Sequence, residues 1–350
     1  MTKSEKLSAL ITSVIGKNGV TGATIRIEQG NGQFEYSHSV GDIGQDAQYF
    51  IASTTKIYTT AIIMKLRSEG HIDLDSLISE FFTTDQLQNI CTISGRDYSH
   101  QITVRQLLAH TSGLADYFQD KDIHGISLEK RLMQGQDEAW NLEKVLEFSR
   151  SSQAKFIPGT KRKAHYSDTN YQLLGGIVEK VRGTSLAEVF QNEIFTPLAL
   201  KKTFVYKGSN DSDIVQLRYK DAQLLIPKAM SSFQADGGIV STTEESMTFI
   251  RAFFNGKFFP KDYISEMTEL CNRIFFPLQY GVGVMKFELP RIFTLFQKFP
   301  ALYGHSGLSG AFEYYAPDLD IYLTGTVNQI NNPAVSYQML IKALQILKSA

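Results

Sequence analysis

Cysteine is scarce in this chain: Cys91 and Cys271 are its only two, far apart and in no metal-binding spacing. Two free thiols are the expected reading, and no disulfide framework can be built from them. The seven histidines include no pair at i,i+4, which excludes a zincin-type helix. Excess charge is also missing. A formal net charge of −1 leaves no overall field to draw the chain to nucleic acid or to an anionic membrane. No apolar run approaches the ~20 residues that a membrane helix needs. There is no Gly-x-Ser-x-Gly elbow, and Gly304-His305-Ser306-Gly307 lacks its spacing. There is no Walker-type loop, and Gly281-Val282-Gly283 is too short to bind a dinucleotide.

What is present is an ordinary globular composition, 43% hydrophobic and 20% charged over 350 residues. That length supports one large domain or two interlocked ones. Near the start, Leu7, Leu10, Ile11, Val14 and Ile15 follow the period of an amphipathic helix, with Gly16-Lys17-Asn18-Gly19 as its stop. No small-residue cleavage site follows, so the chain is expected to be cytoplasmic. A periplasmic or extracellular place is expected instead if an export signal precedes it in the gene.

Strand patterns occur at Thr21–Glu28 and Gln33–Val40, joined by the turn residues Gln29-Gly30-Asn31-Gly32. Helical patterns follow at Ser53–Glu69, Val104–His110, Leu142–Arg150, Asn170–Val181 and Ser185–Ile194. Strand character returns at Tyr280–Phe287, Ala311–Ala316 and Ile321–Asn328, before a last helix over Ala334–Lys348. The expected fold is α+β: an antiparallel β-sheet flanked by the N- and C-terminal helices, with a mostly helical domain inserted. Residues 1–70 and 226–350 would form the sheet domain and 71–225 the helical one, with the active site between them.

Three short motifs carry chemistry. Ser53-Thr54-Thr55-Lys56 follows an apolar run and opens a helix, so Lys56 lies on the same face as Ser53. A serine is a poor nucleophile until a neighbour takes its proton, and a confined lysine can do that or hold the true base ionised. Alone, the pair reads as an N-capping serine with a surface lysine. Tyr166-Ser167-Asp168 offers a phenol that nearby positive groups could turn into a proton acceptor; alone, it reads as a core aromatic. His305-Ser306-Gly307 sits in a glycine-rich stretch before a strand, where backbone can approach a substrate; alone, it reads as a turn.

Together the motifs resemble the penicillin-recognising serine hydrolases: class C β-lactamases, D-alanyl-D-alanine carboxypeptidases and related esterases and D-aminopeptidases. That superfamily carries Ser-x-x-Lys, a second polar motif and Lys-Thr-Gly. Its class C branch has Tyr-x-Asn second and sometimes His-x-Gly third. Ile102–Leu114, Phe156–Gly159, Tyr166–Gly175, Pro197–Leu200 and Gly237–Ser241 are similar to further family stretches. The resemblance implies a β-lactamase/transpeptidase-like fold and a serine hydrolase working through an acyl-enzyme. Ser53 would be the nucleophile, and Lys56 with Tyr166 the base. The backbone N–H groups of Ser53 and Leu308 would form the oxyanion hole. Asp168, His305, Ser306 and Gly307 would contact substrate, while His110 is read as structural. No cofactor and no metal are implied.

Two departures shape the expected substrate. Asp168 stands where the family has asparagine and His305 where it has lysine, and both lower the positive charge that would hold an anionic substrate. The leading expectation is an ester, amide or short peptide, cleaved by an esterase or a D-amino-acid amidase or peptidase. A D-alanyl-D-alanine carboxypeptidase or β-lactamase is the alternative within enzymes. A non-catalytic scaffold binding peptide or muropeptide is the alternative outside them. No nucleic acid or membrane partner is expected, and the sequence leaves the oligomeric state open.

Overall fold

Alternation in Ala23, Ile25 and Ile27 puts three apolar side chains on one face of a strand and Thr24 and Glu28 on the other. The same two-sidedness runs through the whole sheet. The structure is a computed structural model that describes residues 1–208, 213–290, 292 and 299–348. Among these, β1 (Gly22–Gln29), β2 (Glu35–Gly41), β3 (Asn272–Phe275), β4 (Leu278–Tyr280), β5 (Met285–Phe287), β6 (Leu302–Ser306), β7 (Ala311–Ala316) and β8 (Ile321–Thr326) form one antiparallel sheet. Its spatial order is β3-β4-β5-β6-β7-β8-β1-β2, so the first hairpin pairs with the late strand β8, Ile25 opposite Gly325.

One face receives the two terminal helices, α1 (Lys3–Thr12) and α6 (Ala334–Lys348). Leu7, Ile11, Met339, Leu340 and Leu344 bury there against Ile25, Ile27, Phe312 and Leu323. The other face is covered by α5 (Thr243–Phe254) and leads into a larger core built around α2 (Thr55–Ser68) and α4 (Asp168–Arg182). Every residue of α2 from Thr55 to Met64 is buried, as suits a helix with no solvent face. A further helix, α3 (Leu142–Ser151), packs against α4. A small sheet joins Gln48–Phe50, Ile239–Ser241, Phe204–Val205 and Ile214–Val215 beneath the start of α2. No helix among the described residues is long and apolar enough to cross a membrane.

The expected α+β fold, with its sheet and flanking terminal helices, is what the structure contains. Three local expectations differ. The single strand expected over Tyr280–Phe287 is a hairpin, because Gly283 turns at φ +77° with its backbone against Thr60. His305 and Ser306, expected in a turn, lie inside β6. The helix expected over Ser185–Ile194 is α-helical only over Leu186–Phe190 and then widens into a π-helical turn at Gln191–Phe195. Cys91 is a buried free thiol and Cys271 a half-buried one.

Strand β7 carries Glu313 into the core, 1% exposed, with the Tyr58 hydroxyl 3.4 Å from Oε1 and Ser246 bonded to the carboxyl. Burial pushes its pKa from 4.5 up to about 8. The folded chain therefore holds a proton that the unfolded chain has released. Stability is full below the unfolded value, falls as pH rises from 4.5 towards about 8, and levels off above that. The shift corresponds to on the order of 4–5 kcal/mol across that window. Replacing Glu313 by glutamine should flatten the decline of melting temperature between pH 5 and pH 8, read by thermal unfolding at each pH. A decline as steep as that of the parent chain would show that Glu313 does not cause it.

Candidate functional site

Helix α2 enters the core through a strained turn. Ala52 adopts φ +47°, unusual for a side chain with a Cβ, and Ser53 follows in a one-turn 3₁₀ segment over Ala52–Thr54. The first turns of α2 are then fastened to the segment that follows Gln234. The Thr55 hydroxyl accepts the Ile239 N–H at 3.2 Å, and the Thr59 hydroxyl donates to the Ala235 carbonyl at 2.7 Å. Lys56 donates its ammonium to the Asp236 carbonyl, also at 2.7 Å. Threonine is a poor helix former, but here each hydroxyl is a fastening.

Lys56 is fully buried and forms an ion pair with Asp168, Nζ to Oδ1 2.7 Å. Its Nζ lies 5.2 Å from the centre of the Tyr166 ring. The Ser53 hydroxyl lies close enough to Tyr166 to favour its ionised phenol. The first two motifs therefore converge on one point. Tyr166 departs from the sequence expectation in its charge state. Burial, then the Asp168 carboxylate, hold its phenol well above its ordinary range, so it rests as a neutral hydroxyl. The two positive groups expected beside it reduce to Lys56, which Asp168 already balances.

The turn that carries Tyr166 is held from below by the stretch expected to be structural. His110, at φ +56°, accepts the Ser167 N–H on Nδ1 at 3.1 Å, and the Asn170 amide lies at the same distance. Its ring lies 4.4 Å, centre to centre, from that of Tyr166. Burial and then Lys56 keep His110 neutral, with its pKa well below 6.5. Asp168 is fixed at its own N–H, which donates to Asp116 Oδ1 at 2.9 Å.

The third motif contributes unevenly. His305 is fully buried, with its ring 6.1 Å from that of Tyr166. Its Nδ1–H donates to the Ser306 carbonyl at 2.8 Å. Burial, then Lys56, hold its pKa well below 6.5. The partial charge expected of His305 is thus absent, and no cation replaces the family's lysine. Ser306 points to the opposite face of the sheet, where its hydroxyl bonds to Tyr337 of α6. Gly307 packs so closely on the Ile51 carbonyl that a Cβ would sit 2.4 Å from its oxygen. Leu308 turns back towards Ser53, and the Ser309 hydroxyl donates to the Phe50 carbonyl at 2.8 Å.

Ser53, Asp168 and Leu308 line a cavity of about 50 Å³. Its walls are mostly apolar, with Phe118, Leu132, Met133, Ile226, Met230 and Phe233 among them. Sequence reading missed two residues here. Asp236 lines the cavity, and Tyr117 donates its hydroxyl to Asp236 Oδ2 at 2.9 Å. The position of Asp236, directly before the Gly237–Ser241 stretch, was an available signal. Nothing in the sequence marks Tyr117.

Known proteins with the same architecture place this site in context. A D-stereospecific amidohydrolase from Streptomyces sp. superposes with a TM-score of 0.76 at 25% identity, over 96% of this chain and 97% of that one. The D-amino acid amidase of Ochrobactrum anthropi SV3, complexed with L-phenylalanine, gives 0.81 at 20% identity, over 99% and 98%, and shares the fold. A protein of Escherichia coli O157:H7, provisionally named a D-alanyl-D-alanine carboxypeptidase, is 25% identical over 83% of this chain and 71% of its own length. The Beta-lactamase family model matches residues 7–344, and the chain belongs to that family of serine hydrolases.

Proposed function

We propose that the chain cleaves esters or amides of apolar acyl groups through an acyl-enzyme on Ser53. The observation that carries this reading is Ser53 on the wall of an apolar cavity, beside Tyr166 and the buried Lys56–Asp168 pair. The acyl substituent fills the cavity, and the carbonyl carbon lies against Ser53 Oγ. As Oγ attacks, its proton passes to the Tyr166 oxygen. A resting neutral phenol cannot keep a second proton, so Tyr166 passes its own towards the Lys56–Asp168 pair in the same movement. The backbone N–H groups of Ser53 and Leu308 stabilise the oxyanion. The proton returns to the leaving group, and water then releases the acid by the reverse sequence, restoring Ser53. Asp168 suits this relay better than asparagine, because a carboxylate can accept a proton and an amide cannot.

Anionic substrates fit poorly. Lys56 is balanced by Asp168, His305 is neutral, and no lysine or arginine is among the described residues lining the cavity. A β-lactam or a peptide carboxylate would find no unpaired cation there among the described residues. This supports an esterase or amidase reading over that of a carboxypeptidase.

Replacing Ser53 by alanine should abolish labelling by a fluorescent phosphonate and lower p-nitrophenyl ester turnover by about 10⁴-fold or more. Equal labelling of both proteins would put the nucleophile elsewhere. Substituting Tyr166 by phenylalanine removes the proton path but leaves the cavity, so kcat should fall by roughly 10²–10⁴-fold with KM little changed. A change confined to KM would make Tyr166 a binding residue only. Penicillin should acylate Ser53 at least ~100-fold more slowly than a neutral ester does, by intact mass over time; comparable rates would overturn the charge argument.

A further inference from the structure

Tyr166 is surrounded by rings. Its own ring lies 4.4 Å, centre to centre, from that of His110, 5.9 Å from Phe275, 6.0 Å from Tyr280 and 6.1 Å from His305. His110, Tyr280 and His305 have no exposed surface. Phe275 is the exception at 49% exposed, and Phe276 beside it is 54% exposed. These are the two exposed phenylalanines among the described residues. Neighbouring apolar rings left in water beside a reactive centre mark a surface that something else covers.

Their placement says what covers it. Phe275 ends β3 and pairs with Leu278, the first residue of β4, after the register slips between Arg273 and Phe275. Ile274 packs on the main core, and the Arg273 guanidinium lies 5.3 Å from the centre of the Phe276 ring. The hairpin end is thus tied down while the Phe275 ring stays beside Tyr166. In the sheet, β5, β4 and β3 follow one another on one side of β6. The apolar cavity lies towards the other side: Leu308 and Ser309 follow β6, Ile330 follows β8, and all three line it. Phe275 is not among the cavity's described lining residues.

We infer that Phe275 forms the wall against which the leaving group lies, and that the alcohol or amine released carries an aromatic ring on a short linker. This rests on the acyl-enzyme reading of Ser53. With the acyl group in the cavity, the departing atom takes its proton from Tyr166, so whatever is attached to that atom lies beside Tyr166. The half-exposed ring there is Phe275, and an aromatic substituent packs on it offset or edge-on. Contact made as the ester is attacked and lost once the alcohol departs acts on acylation alone. In that step the Ser53 Oγ–carbonyl carbon bond forms, the bond from that carbon to the alcohol oxygen breaks, and the alcohol leaves with the proton that Tyr166 returns.

The test compares 3-phenylpropyl butanoate with propyl butanoate, which give the same acyl-enzyme and release alcohols of closely similar acidity. Each kcat/KM, followed by titration of the butanoic acid released, is normalised to that ester's hydrolysis by hydroxide. The phenylpropyl ester should be preferred about tenfold or more. In Phe275→Ala the ratio should fall to within about threefold of unity, and in Phe275→Tyr, which keeps the ring, it should stay near that of the parent chain. Because the ratio is taken within one protein, a general loss of activity cancels, and the parent chain's ratio needs no variant. Equal kcat/KM for the two esters in the parent chain would overturn the inference and leave the acyl-enzyme reading standing. So would a ratio that survives Phe275→Ala, which would make Phe275 a packing neighbour of Tyr166 only. Turnover of neither ester, or equal turnover by Ser53→Ala, would overturn that reading and the inference with it.

Discussion

The site depends on one buried cation. Moving an ammonium out of water costs several kcal/mol even after relaxation, and Lys56 has no exposed surface through which to recover it. The cost is offset by the Asp168 carboxylate and the Asp236 carbonyl, each 2.7 Å from Nζ. Those two groups come from different parts of the chain, the start of α4 and the approach to the small sheet. Satisfying Lys56 therefore fixes three segments relative to one another. Ser53 on the same helix and Tyr166 just ahead of α4 inherit their positions from that constraint. A buried ion pair is weak support for overall stability. Its effect here is on geometry, because pairing the charge ties these segments together.

The backbone around this cation is correspondingly forced. Ala52 at φ +47°, His110 at +56° and Gln234 at +34° are residues with a Cβ in the left-handed region. Each stands next to a functional group: Ala52 before Ser53, His110 beneath Tyr166, and Gln234 two residues before Asp236. Such conformations cost of order 1–3 kcal/mol each and persist where the surroundings over-determine them. The fastenings Thr55 to Ile239 and Thr59 to Ala235, and the His110 cradle under Ser167, are those surroundings. The strain lies where the chain must hand side chains across from one segment to another.

Much of the fold could be read from period and turn residues, because β1, β2, α2, α4 and α6 each carry a strong local pattern. The failures share a cause. Strand β6 holds Gly304, His305 and Ser306, residues with little strand character, and it forms because β5 and β7 pair with it on both sides. The hairpin of β4 and β5 was hidden because a glycine inside an apolar run reads as strand until its φ is known. At the site, spacing put Lys56 one turn after Ser53, and the family likeness pointed to Tyr166, Asp168 and His305, which the fold brings together around Lys56. Ser306 faces α6 instead, because adjacent residues of a strand face opposite ways. Asp236 and Tyr117 were missed since their meaning is relational: they matter through Lys56 and Gln172, which lie far away in sequence.

The same relational logic alters what the two motif departures mean. From sequence, Asp168 and His305 each subtract positive charge, and the subtractions simply add. In the folded chain they act differently. His305 is neutral by burial, so its contribution is a loss of the family's cation and no more. Asp168 supplies the carboxylate that lets Lys56 be buried, so its charge is spent within the pair. Asp236 adds a third carboxyl that burial holds well above the usual carboxylate range, which neither motif could reveal. The charge of the site is therefore set one layer behind the motifs, by how the carboxyls around a single lysine are satisfied.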